Sequence, residues 1–189
     1  MDGMLDRVMR AARLDNRLFQ EVEADPSLNQ EALTVVVLVS AISGIGAFVS
    51  GLMGGRMGGA FLGLFVTVLL GVVNYYIWSY VTYFIGTNLF KGTAEPGELL
   101  RVLGYASGPR ALAGLRFIPC LGGIIALAGS VWALVAGFIG VREALDLETT
   151  ETLVTVVIGW IVIFFLNLIV GSILGLGAMG LGAAANFLG

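Results

Sequence analysis

The chain has 189 residues, of which 58% are hydrophobic and 12% charged, and carries a net charge of −3. Soluble domains carry about 25% charged residues, whereas the uncharged runs here approach or exceed the roughly 20 residues that cross a bilayer as helix. The composition therefore excludes a soluble domain and predicts an all-α membrane protein. With no histidine and a single cysteine, Cys120, the chain lacks the usual ligands of zinc, haem and iron–sulfur groups and cannot form an internal disulfide. No cofactor is expected and, without a basic run, no nucleic acid. Cys120 reads as a small buried hydrophobe, with lipidation or intermolecular pairing as the alternatives.

Residues 1–30 form a segment of their own. Leu5, Val8, Met9 and Ala12, then Leu18, Phe19 and Val22, recur at helical spacing among Arg7, Arg10, Arg13 and Arg17. Such an amphipathic helix lies in the headgroup layer or packs on the protein's own loops. Arginines mixed with acids, followed by a long apolar run, do not make a cleaved signal. Asp25-Pro26 ends the segment, and Ser27 with Gln30 has capping-box spacing for the next helix.

Residues 31–175 predict five transmembrane helices at about 33–52, 60–85, 99–117, 121–141 and 153–174, followed by a Gly/Ala-rich tail, 176–189. Small residues four apart mark helix-packing faces: Ser43, Ala47, Gly51 and Gly55 on the first span; Gly59, Gly63, Thr67 and Gly71 on the second; Gly129, Ala133 and Gly137 on the fourth. Asn74, Tyr75, Tyr76, Trp78, Tyr80 and Tyr83 form an interfacial belt with a packed polar patch. Asn74 either bridges helices or lines a pathway, and Asn167 is the polar residue of span five. Pro96 suits the first turn of a helix. Span three carries Arg101, Arg110 and Arg116. Arg110 stands about 13 Å along from Arg101, near mid-membrane, and Pro109 beside it predicts a kink.

The spans hold no Asp or Glu, no nucleophile–base pair and no phosphate loop, so no catalytic residue, metal site or acidic proton relay is expected. Arg110, with Pro109, Tyr105, Asn74 and Asn167, is the candidate site for a partner or an anionic lipid. The alternative is an Arg110 that snorkels to a headgroup or caps carbonyls freed near Pro109. Five spans put Arg7, Arg10, Arg13, Arg17, Lys91, Arg101 and Arg142 on the N-terminal side, against Arg56 and Arg116 on the other. The positive-inside rule then predicts a cytoplasmic N-terminus.

An ordered set of short segments resembles the Yip-domain family, five-span membrane proteins named for interaction with Ypt/Rab GTPases. It runs through Phe19 to Pro26, Leu89-Phe90-Lys91-Gly92, Arg101 to Ala106, Pro109-Arg110, Ile118 to Gly122, Trp132 and Gly140 to Leu145. The resemblance implies five spans, a cytoplasmic N-terminus and no enzymatic activity. Eukaryotic members act in traffic between endoplasmic reticulum and Golgi and carry a longer N-terminal region. Only about 30 residues precede the first span here. This departure weakens the implication of Rab binding and resembles a prokaryotic-type member, placed in the plasma membrane if the source is bacterial. The small-residue faces predict a non-enzymatic protein that organises or accompanies other integral membrane proteins, or itself, among membrane lipids. The alternatives are a small channel or transporter, with Asn74, Asn167 and Arg110 along its path, and a lipid-interacting, membrane-shaping protein.

Overall fold

The computed structural model describes residues 3–55 and 61–173 in full and, for 2, 57–60 and 174–188, the backbone alone. The placement of Arg56, the packing of Gly59 and the surroundings of the tail 176–189 lie outside the described residues. The chain order is α1 (Asp2–Ala12), α2 (Asn16–Ala24), a 3₁₀ turn (Pro26–Leu28), α3 (Asn29–Met53), α4 (Met57–Leu89), α5 (Pro96–Ala106), a 3₁₀ segment (Gly108–Phe117), α6 (Gly122–Leu145) and α7 (Thr149–Leu188). The fold is all-α, with no strand among the described residues. Four stretches are long and apolar enough to cross a membrane: Pro26–Met53, Phe61–Leu89, Gly122–Leu145 and Thr149–Ile173. They coincide with expected spans one, two, four and five.

The third segment, expected as a helix over 99–117 kinked at Pro109, changes helix type there instead. Pro109 has no N–H to offer the carbonyl of Tyr105, and α5 stops at Ala106, where the Ser107 hydroxyl donates to the Gly104 carbonyl at 2.6 Å. The chain continues as a ten-residue 3₁₀ segment. Poorer hydrogen-bond geometry keeps most such runs to three or four residues, so packing sustains this one. A Cβ on Gly46 of α3 would sit 2.4 Å from the Gly114 carbonyl oxygen, and one on Gly129 of α6 would sit 2.6 Å from that of Pro109. These approaches to bare backbone hold the segment between α3 and α6. Val102 faces Gly140 and Arg116 faces Gly122, a stretch over which α6 rises about 27 Å. The third segment thus covers most of a bilayer's thickness, half as α-helix and half as the more extended 3₁₀ form. On α3, Gly44 comes close to Leu64 and Gly46 to Gly114, and Ser43 of the expected row reaches the Arg110 carbonyl at 3.4 Å.

The tightest packing lies at the N-terminal end of the bundle. Leu18, Phe19 and Val22 of α2 are buried against Leu99, Val102 and Leu103 of α5 and Val141, Ala144 and Leu145 of α6. α1 combines the two readings of the amphipathic segment. Met4 and Ala11 are buried against the protein, while Leu5 and Met9 point outward, 56% and 54% exposed. Arg7 pairs with Glu31 at 2.7 Å, and Arg10 pairs with Asp15 and Glu21 at 2.8 and 2.7 Å. Arg13 and Arg17 stay exposed. The expected capping box at Ser27 and Gln30 does not form. Instead the Asp25 carboxylate accepts from the Ser27 N–H at 3.0 Å. A reciprocal contact appears at α5, where the Glu95 N–H donates to the Glu98 carboxylate at 3.1 Å and Pro96 opens the helix. Cys120 is a correction: it is exposed, with φ +64°, in the turn between the third segment and α6. The tight reversal there leaves its side chain outside any core.

Arg101 is buried, 4% exposed, and fixes α2 to the bundle. Its guanidinium donates to the carbonyls of Val22 and Glu23 at the end of α2 and, at 3.1 Å, to the side chain of Asn29. The helix-end carbonyls that lack intrahelical donors thereby gain a charged one. The Glu23 side chain fares differently: one carboxylate oxygen is buried without a hydrogen bond. Burial, with Asp146, Glu98 and Glu143 nearby, outweighs the Arg101 charge and pushes the Glu23 carboxyl up to about 7. A folded-state pKa above the unfolded value means that folding favours the protonated form. Stability is then highest below about pH 4.5 as far as Glu23 is concerned, and falls as pH rises towards 7. Glu23→Gln is expected to match the wild type in stability at pH 5. At pH 8 it should exceed it by about 1 kcal/mol, the full linkage value being discounted because the side chain is only partly buried. Thermal unfolding in detergent at the two pH values checks this.

Candidate functional site

Arg110 follows Pro109 near the start of the 3₁₀ segment, and its side chain lines clefts between the helices. Two cavities meet there. The smaller, about 60 Å³, lies among α3, α4 and the third segment, lined by Ser40, Ser43, Thr67, Tyr75, Ser107 and Arg110. The larger, about 190 Å³, is lined by Trp78 of α4, Arg110, Ser130, Ala133 and Leu134 of α6, and Trp160 and Ile163 of α7. Trp78 and Arg110 are common to both walls. Either cavity has room for several waters. Ser43, Ser130 and Ile163 stand near the middle of their helices, which places Arg110 at mid-depth in the bundle.

The guanidinium is exposed into these clefts. It belongs to none of the four ion pairs among the described residues, and no Asp or Glu lines either cavity. Nor does it donate to the carbonyls near Pro109; the contact at hand is to its own backbone carbonyl, which the Ser43 hydroxyl approaches at 3.4 Å. Trp78 Nε1 is buried without an acceptor, as are the hydroxyls of Thr82 and Thr155 along the α4–α7 seam. Gly159 keeps that seam tight, since a Cβ there would lie 3.1 Å from Trp78 Nε1. Of the cavity hydroxyls, Ser130 donates to Ala126, Ser107 to Gly104 and Thr67 to Gly63, while Ser40 makes no side-chain hydrogen bond among the described residues. The site holds a cation and no carboxylate.

The five candidate residues fall in separate places. Arg110 stands in the central clefts. Tyr105 is fully buried at the N-terminal end, its hydroxyl donating to Glu31 at 2.7 Å beside Arg7. Pro109 backs onto Gly129 and lines an apolar groove of about 390 Å³ with Val8, Met9, Leu112, Leu115 and Trp132. Asn74 and Asn167 meet each other, Asn74 Nδ2 donating to Asn167 Oδ1 at 3.0 Å between α4 and α7. The fourth-span face is turned inward: Gly129 packs on Leu112, Ala133 is buried, and Gly137 packs on Trp78 and Leu103. Gly71 packs on Ser40, whereas Gly63 has nothing within 4 Å.

Sequence reasoning missed Trp78 as a cavity wall, because it sits in a run of aromatics that reads as an interfacial belt. It missed Arg101 as the clamp on α2. The signal was a charged residue inside the apolar run Leu99 to Leu103, too polar for a free helix face.

The family model of the Yip1 domain matches residues 15–171. No curated protein and no solved structure matches the chain.

Proposed function

The chain belongs to the Yip1-domain family, and from that footing we propose that it is a non-enzymatic integral membrane protein that accompanies or organises other membrane proteins. The observation that carries this reading is a pair of uncovered glycines on α4 and α7 beyond their Asn74–Asn167 bond. Among the described residues, Gly63 on α4 and Gly171 on α7 have nothing within 4 Å, and Phe61, Leu62, Phe65, Leu168, Ile169 and Ile173 around them are exposed. Small residues at membrane depth let a further helix approach closely. The mutual Asn74–Asn167 bond also takes up two polar groups that a conducting path would need free. The arginine count puts α1 and α2 on the cytoplasmic side; for a bacterial source the membrane is the plasma membrane.

Single cysteines replacing Gly63 or Gly171, in a Cys120→Ser background, test this in native membranes. Both are expected to crosslink to a second polypeptide, another protein or another copy. A cysteine at Ile124, 64% exposed on α6 at the same end of the bundle, is expected not to. Crosslinking from Gly63 and Gly171 no greater than from Ile124 would remove the basis of this reading.

A further inference from the structure

We propose that the paired clefts around Arg110 form a binding site for a phosphate-type oxyanion, either the phosphodiester of an anionic lipid entering from the side or free inorganic phosphate. The argument starts from charge. A guanidinium at the middle of a membrane bundle is costly unless paired, and the walls of both cavities contain no carboxylate. The hydrogen bonding points the same way. Arg110 brings five N–H donors in a planar fork suited to phosphate. Ser40 lines the smaller cavity and makes no side-chain hydrogen bond among the described residues, unlike Ser43 beside it. A ligand that accepts, and is negative, satisfies Arg110 and the Ser40 hydroxyl together, whereas a cation is repelled by the guanidinium. The larger cleft is walled by Trp78, Leu134, Trp160 and Ile163, apolar surface suited to the acyl chains that accompany a lipid phosphate.

The test uses the full chain in mild detergent and reads its thermal midpoint. One arm compares phosphatidylglycerol with phosphatidylcholine in the micelle; the other compares inorganic phosphate with chloride at equal ionic strength. Wild type is expected to gain several degrees from phosphatidylglycerol or from phosphate, and the arm that responds identifies the source. Arg110→Gln is expected to weaken the apparent affinity at least tenfold, and Arg110→Lys to recover part of it. Arg13→Gln with Arg17→Gln is expected to leave the shift intact, separating the cleft from simple attraction to the exposed arginines of α1 and α2. If Arg110→Gln does not fold, Ser40→Ala serves in its place: it keeps the contact with Gly71 and removes the free hydroxyl, and the affinity should fall several-fold. No shift of wild type in either arm would overturn the proposal, as would an equal shift in wild type and in the folded cleft variants.

Discussion

Arg101→Met is expected to destabilise the protein by about 3–5 kcal/mol, the range for breaking a buried charged network from one side. For a chain of this length that corresponds to a fall of roughly 10 °C in Tm. Methionine fills much of the same volume, so the loss isolates the hydrogen bonds. The carbonyls of Val22 and Glu23 and the side chain of Asn29 all accept from this one guanidinium, and each is left without its donor when it goes. Glu23 also loses a cation that offsets Glu98, Glu143 and Asp146. Hydrogen exchange should locate the damage: amides of α2 should lose protection first, while those of α6 beyond its contact with α2 change little. Uniform loss of protection along the chain would instead make Arg101 a general core residue.

Gly46→Val is expected to cost at least as much as a typical overpacked core substitution, about 1–3 kcal/mol, and to disturb the third segment. The Cβ would lie 2.4, 2.7 and 2.8 Å from the carbonyl oxygen, carbonyl carbon and Cα of Gly114. These atoms are backbone, held in turn by α6, and cannot swing aside as a side-chain tip can. Gly63→Ala is the matched control. Nothing lies within 4 Å of its Cβ, and alanine is the better helix former by roughly 0.5–1 kcal/mol, so the purified chain should be unchanged or slightly more stable. Midpoints for the two variants in detergent check both statements. A benign Gly46→Val would mean that the 3₁₀ segment does not press on α3.

The parts of the fold that depend on hydropathy and length were legible. The four long helices lie where uncharged runs predicted them, because burial in lipid imposes one simple requirement on each. The third segment was not legible as a regular span, since its shape depends on Gly46, Gly114 and Gly129 meeting backbone across helices, which no local pattern encodes. Pro109 signalled a disturbance, but whether it bends a helix or ends it depends on what packs outside. The turn at Cys120 and the left-handed Asp146 that ends α6 are similar cases, in which closure between neighbouring elements selects a conformation that local propensity disfavours. At the candidate site, Arg110 stood out because charge is rare at that depth. Its surroundings did not: Ser40 and Trp78 lie 70 and 32 positions away in the chain, and helix spacing alone cannot say which helices meet. Asn74 and Asn167 were each visible as polar residues in apolar runs, but their pairing required knowing that α4 and α7 are antiparallel neighbours.

The central claim is that this Yip1-domain chain functions in company, through the uncovered Gly63 and Gly171 faces of α4 and α7. The most direct measurement is the intact mass of the C-terminally tagged chain taken from its native membrane in mild detergent, compared with a Gly63→Leu, Gly171→Leu double variant. The account predicts a stoichiometric complex for the wild type, with another integral membrane protein or a second copy, and its loss in the variant while the variant remains folded. A wild-type chain that runs alone with bound lipid, or a complex that survives the double substitution unchanged, would contradict it.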